Sequence, residues 1–174
     1  MRCLAALGLI GSVLTTPLHA QQPAPTTGES TTAMMPPLPP PNPAQDRYLQ
    51  GLRTAGRGVA QIKDGISRVV RTQSSRDTAQ ARLAAKRLGG LCGAARGFIT
   101  SGRGQMEPNA YDSATRKPAK DLLTQLDSLA LSVQTCQLSA GKTPASVTTE
   151  LLGRLHRYEA ALATFRAAIG LPNR

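Results

Sequence analysis

The chain has 174 residues with 21 lysines and arginines against 10 acids, a formal charge of +11, no tryptophan and only 3% aromatic residues. That balance favours anionic partners, yet it leaves few aromatic platforms on which single-stranded nucleic acid could stack. Three cysteines and two histidines, well separated along the chain, make no zinc-binding pattern, and neither a helix-turn-helix nor a zinc-finger spacing accompanies the charge.

Residues 1–20 have the three-part form of a secretory signal peptide. Arg2 supplies the positive end, Cys3 to Leu14 an apolar core, and Leu18-His19-Ala20 a cleavage site. The core is about a dozen residues, short of the ~20 that span a bilayer as a helix. Removal is therefore expected rather than retention as an anchor, and the product is periplasmic or secreted, free or docked on a membrane surface. Cys3 and His19 leave with the signal. Residues 21–45 read as a linker, with Pro23, Pro25, Pro36, Pro37, Pro39, Pro40, Pro41 and Pro43 among small polar residues. Proline fixes φ and lacks an amide hydrogen, so the Pro36 to Pro43 part favours an extended polyproline II form. It serves as a spacer or as a strap along a partner, in which case Met34, Met35 and Leu38 make the contacts.

Residues 46–174 have the length of one ordinary domain, and their apolar spacing is helical throughout. Leu49, Leu52, Ala55, Val59, Ile62, Ile66 and Val69 mark a first helix that Asp46 can cap. Thr72 to Ser75 interrupt it, and Ser75 or Asp77 can cap a second. There Ala84, Leu88, Leu91, Ala95 and Phe98 form the expected core stripe, with Cys92 and Ile99 alongside. Ala81, Ala85, Gly89, Gly93 and Gly97 recur at every fourth position of the same helix. Each interior glycine costs a helix about 1 kcal/mol relative to alanine, so Ala85, Gly89, Gly93 and Gly97 are expected to admit a closely packed neighbour.

Gly102, Gly104, Pro108 and Asn109 mark a connection over 102–117. A third helix is expected from Pro118, proline being tolerated in a first turn, with Leu122, Leu126, Leu129, Val133 and Cys136 as its stripe. Gly141 and Pro144 end it. Thr143 or Ser146 opens a fourth, whose Val147, Leu151, Leu155, Tyr158, Leu162, Phe165 and Ile169 alternate steps of four and three. Gly170 and Pro172 stop it. The reading is all-α: an antiparallel four-helix bundle behind a signal peptide and a Pro-rich linker. The alternative is three long helices with the first frayed, because Gly51, Gly56, Gly58 and Gly65 weaken it.

An exported chain that keeps Cys92 and Cys136 on apolar faces of different helices is expected to join them. The helix heights of the two cysteines match only if the third helix starts beyond the end of the second. Arg82, Lys86 and Arg87 stand out among the bases of the first two helices as candidate partner contacts. Catalysis finds no support: His156 is the one histidine of the mature chain, and no nucleophile or paired acid stands at a recognisable spacing. Leu152-Gly153-Arg154-Leu155-His156 has the C-x-x-C-H spacing with leucines in both cysteine positions. Over those five residues it resembles the haem helix of cytochrome c′-like bundles, which makes His156, with Met106, a weak haem-ligand candidate. No cofactor is otherwise expected.

Two readings follow. The first is a non-enzymatic interaction or structural protein, docked as an accessory subunit on the periplasmic face of a membrane complex through its basic surface and Pro-rich strap. An anionic lipid surface is the variant of that reading, and nucleic acid is disfavoured. The second is a ligand-carrying bundle, with haem or a small apolar molecule beside the Gly89, Gly93 and Gly97 face.

Overall fold

The computed structural model describes residues 42–73 and 77–172. The signal-peptide expectation and the linker expectation over 21–41, including Met34, Met35 and Leu38, lie outside them, whereas residues 43–45, expected as the end of the linker, form the first turn of the first helix. Among the described residues the protein is all-helical, a helical bundle of four long helices: α1 (Pro43–Gln73), α2 (Thr78–Arg103), α3 (Ser113–Ser139) and α4 (Pro144–Ala168). A short 3-10 turn, Pro108–Ala110, lies between α2 and α3. No helix among the described residues is long and apolar enough to cross a membrane.

The helix ends follow local chemistry. α1 begins three residues ahead of Asp46, with Asn42 rather than Asp46 at its start; the Asn42 side chain accepts the Ala44 amide at 3.0 Å. The Asp77 carboxylate accepts the amides of Ala79 and Gln80 and caps α2. α3 begins at Ser113, five residues before the expected Pro118, which lies inside the helix. Its cap is Asp112, whose carboxylate accepts the Thr115 amide at 2.8 Å. That backbone hydrogen bond holds the Asp112 carboxyl below its usual range. The connection is correspondingly shorter than 102–117. Gly170, at φ 72°, ends α4 as expected, with Leu171 donating to the Arg166 carbonyl and Gly170 to that of Ala167. This crossed pair is the Schellman arrangement, in which a left-handed residue satisfies the last free carbonyls.

Neighbouring helices run antiparallel. Gly51 of α1 meets Gly102 of α2, Gly58 meets Ala95, and Gly65 meets Leu88. The three glycines recur every seventh residue and so fall on nearly one face. A Cβ on Gly51 would lie 2.5 Å from the Gly102 carbonyl oxygen, and one on Gly58 would lie 2.6 Å from that of Ala95. The α1 glycines expected to fray the helix thus let two backbones touch, and α1 is unbroken over 31 residues. Gly56 alone of the four faces open space.

The core stripe of α2 is turned from the one expected. Ala85, Leu88, Cys92, Ala95 and Ile99 are buried, whereas Ala84, Leu91 and Phe98 are half-buried. The helix is wedged between α1 and α3, so its most buried line is the one shared by both neighbours. Cys92 and Cys136 are joined Sγ to Sγ at 2.03 Å, their Cα atoms 6.0 Å apart, and both are fully buried. Counted along the helices from that bridge, α3 starts ~18 Å beyond the end of α2. The 104–112 connection runs onward past the end of α2 to cover this distance. It supplies Tyr111, which packs with Tyr48 of α1 and Phe165 of α4 at ring-centroid distances of 5.2 to 5.4 Å. The Tyr48 hydroxyl donates to the Ala119 carbonyl of α3 at 3.0 Å. This aromatic cluster closes the end of the bundle that α2 does not reach.

Candidate docking surfaces

Two features of the surface stand apart from ordinary solvated helix faces: a basic face on α2 and an apolar seam between α1 and α4. The basic face follows from sequence. Thr78 to Arg103 contains Arg82, Lys86, Arg87, Arg96 and Arg103 and no acid. Arg103 is held by Asp127 of α3, with Nε donating to Oδ1 at 2.9 Å. Arg82, Lys86 and Arg87 are exposed and have no ion-pair partner among the described residues.

The acids that could neutralise them are engaged elsewhere. Asp64, Asp121, Asp127 and Glu159 pair with Arg68, Lys117, Arg103 and Lys63. Glu150 accepts the Ser132 hydroxyl at 2.7 Å, and Asp77, Glu107 and Asp112 cap their elements. The basic surplus therefore has little internal counter-charge. Leu83, half-exposed, sits in this region with Ala84 and Arg87 on the wall of a cleft of about 460 Å³, whose other wall carries Arg68 of α1.

The second feature comes from helix placement. α1 packs extensively on α2, α2 on α3, and α3 on α4, while the α1 and α4 backbones stay farther apart and meet chiefly through side chains, Tyr48 on Phe165 and Lys63 with Glu159. Two clefts follow that open seam. One, about 310 Å³, has Leu49, Leu52, Gly56, Leu162, Phe165 and Ile169 on its walls, with Arg53 and Arg166 at its edge. The other, about 470 Å³, has Ile66, Val70, Leu152 and Leu155 as its apolar surface, with Lys63, Arg71, His156 and Glu159 around it. The Lys63 ammonium donates to the Glu159 carboxylate at 2.6 Å across the seam, from one helix to the other. Leu49, Leu52, Leu162 and Ile169, expected in the core from their periodicity, are only half-buried because the seam stays open above them. Val70, Leu152 and Leu171, each close to half-exposed, border the same clefts.

The small-residue face of α2 is placed differently from expectation. Ala85 is buried. A Cβ on Gly89 would reach the Gln137 carbonyl and the Ala140 methyl at 3.5 and 3.7 Å, ordinary contact with the end of α3. On Gly93 it would meet only the flexible Gln137 side chain, and on Gly97 nothing within 4 Å. Gly97 is exposed and meets no neighbour among the described residues, because positions four apart advance about 40° around the helix at each step and the row drifts off the buried face. The close backbone approach belongs to Gly51, Gly58 and Gly102 instead. Their signal was the seven-residue glycine spacing in α1, which reads equally well as a cost to the helix.

His156 and Met106 are not brought together. His156 is exposed beside Lys63 and Ser67, whereas Met106 is buried against Gly51. Along α1 those places are ~20 Å apart, too far for two axial ligands of one haem. No group of three or more His, Cys, Asp or Glu residues that could hold a metal ion occurs among the described residues. Against known proteins, the chain matches no family model, no curated protein and no solved structure.

Proposed function

We propose that the protein is an exported, non-enzymatic interaction module: a disulfide-stapled helical bundle that docks on an acidic face of a protein partner, as an accessory subunit on the outer side of a membrane. The observation that carries this reading is the α2 face, where Arg82, Lys86 and Arg87 are exposed and, among the described residues, have no counter-ion while almost every described acid is occupied elsewhere. Such a field speeds encounter with an acidic surface and fixes orientation there. The export signal read in residues 1–20 and the disulfide agree on an oxidising compartment. The concave α1/α4 seam favours a protein over a lipid bilayer, since a flat surface cannot follow a groove.

The test is purification of the tagged full chain from native membranes in mild detergent, beside a variant carrying Arg82→Glu, Lys86→Glu and Arg87→Glu. A partner recovered in fixed ratio with the native chain, and lost with the variant at unchanged melting temperature, is the expected outcome. Equal recovery by both would refute docking through this face.

A further inference from the structure

The α1/α4 seam points to a specific kind of contact. We propose that it is a docking groove for one amphipathic α-helix of the partner, with an apolar stripe entering the seam and acidic residues flanking it. This rests on the reading of the chain as an interaction protein, and it adds a second contact separate from the α2 face.

Three observations converge. First, the seam is a core layer left half-finished: Leu49, Leu52, Leu162 and Ile169 have core periodicity yet remain partly exposed. From Leu49 to Val70 it runs ~30 Å, the length of a helix of about 20 residues. Two antiparallel helices with an apolar valley between them are the surface on which a further helix packs.

Second, Gly56 lies in the wall of the seam. Unlike Gly51, Gly58 and Gly65 it meets nothing among the described residues, since a Cβ there would have no neighbour within 4 Å. A helix-interior glycine with no internal packing lowers helix stability. At this position it leaves the groove wall open to a close-packed neighbour.

Third, the border of the groove selects charge. Arg53 and Arg166 flank one half, Lys63 and Arg71 the other. Among the described residues Glu159 is the sole acid lining these two clefts, while Asp46 and Asp112 line the neighbouring hollow beyond Leu49 and Ile169, so the acid-poor border runs from Leu52 to Val70. Glu159 is bound to Lys63. That pair is about half-exposed on both sides, so a partner carboxylate can take Lys63 from Glu159 at little cost. A second copy of this chain, with the same basic border and a charge of +11, is the wrong occupant.

The probes are two synthetic 20-residue helical peptides with the same leucine stripe, one flanked by glutamate and one by lysine, together with phosphatidylglycerol vesicles. Each is titrated into the isotopically labelled, disulfide-intact full chain while amide resonances are followed. The glutamate peptide is expected to shift amides along Leu49–Val70 and Leu152–Ile169. Gly56→Leu, which fills the groove, and Arg53→Glu, which reverses its edge, should each weaken that binding about tenfold with the fold intact. The Arg82→Glu, Lys86→Glu, Arg87→Glu variant should bind the peptide as the native chain does.

Shifts confined to the outer face of α2, equal binding of the lysine peptide, or indifference to both Gly56→Leu and Arg53→Glu would each overturn the groove. So would a response of the groove amides to vesicles alone, which assigns the seam to lipid. The broader reading fails separately, through the membrane recovery experiment with the α2 variant.

Discussion

The glycine spacing of α1 makes a sharp prediction, because two glycines two positions apart should respond to alanine in opposite directions. Both stand in the helix interior, so replacing either gains up to about 1 kcal/mol of helix propensity. At Gly56 nothing opposes that gain: the new methyl meets no atom within 4 Å. At Gly58 the methyl would stand 2.6 Å from the Ala95 carbonyl oxygen, 3.1 Å from Ile99 Cγ1 and 3.2 Å from Phe98 Cβ. The first of these is backbone and cannot rotate away, so α1 and α2 must separate locally. Overpacking a rigid contact costs about 1–3 kcal/mol, occasionally more, which exceeds the propensity gain. Gly58→Ala should therefore lose about 1–2 kcal/mol net, while Gly56→Ala gains about 0.5–1 kcal/mol. For a domain of about 130 residues each kcal/mol moves the melting temperature by roughly 4 °C. The two variants should thus separate by roughly 6–12 °C, with the native chain between them. Urea unfolding followed by far-ultraviolet circular dichroism, with the disulfide intact, gives the free energies directly. Two variants displaced in the same direction would refute the close approach of α1 and α2 at Ala95.

Other consequences are as direct. Replacing Cys92 and Cys136 together by alanine opens a link spanning 44 residues; the chain-entropy account gives a loss of about 4 kcal/mol, and alkylation without reductant of the chain freed of residues 1–20, and so of Cys3, should leave its mass unchanged. Tyr48→Phe removes the hydroxyl that donates to the Ala119 carbonyl at 3.0 Å and should cost about 1 kcal/mol in the same urea experiment. Burial, with a smaller contribution from the Glu159 charge, pushes the Tyr158 hydroxyl from 10.0 up to about 12, and burial raises Tyr48 as well. Both folded values lie above the unfolded one, so the contribution to stability is complete below pH 10 and is lost as pH rises through the window from about 10 to about 12. The urea midpoint should fall over that window, and less steeply in Tyr158→Phe. A midpoint independent of pH there would contradict the burial.

Periodicity made the helices legible because burial repeats with the turn of the helix whichever neighbour supplies it. Val147, Leu151, Leu155, Tyr158 and Phe165 are buried along α4 as their spacing requires. The misplaced start of α3 has a local cause. Pro118 is compatible with a first turn, but Asp112 placed three residues before Thr115 is the stronger signal, since its carboxylate satisfies a free amide that proline merely lacks. The two glycine patterns were not separable by sequence alone. A stripe of small residues states that a backbone can come close, not that one does. In α2 the visible stripe ends at Gly97 over open space, while the operative contact uses Gly102 together with the α1 glycines.

The same limit explains why the α1/α4 groove could not be read from the chain. Leu49, Leu52, Leu162 and Ile169 carry the periodicity of core residues whether the layer above them is occupied or empty. What distinguishes the two cases is the stagger of the helices. α2 turns back early and the aromatic cluster of Tyr48, Tyr111 and Phe165 takes over the closing of that end. α1 is drawn tightly onto α2 by Gly51, Gly58 and Gly65, and α3 is tied to α2 by the disulfide. Both strong attachments thus run through α2. α4, held mainly by α3, has nothing comparable to draw it onto α1. The opening of the seam is therefore a consequence of where the glycines and cysteines were spent, and a partner helix would complete the layer that this economy leaves unfilled.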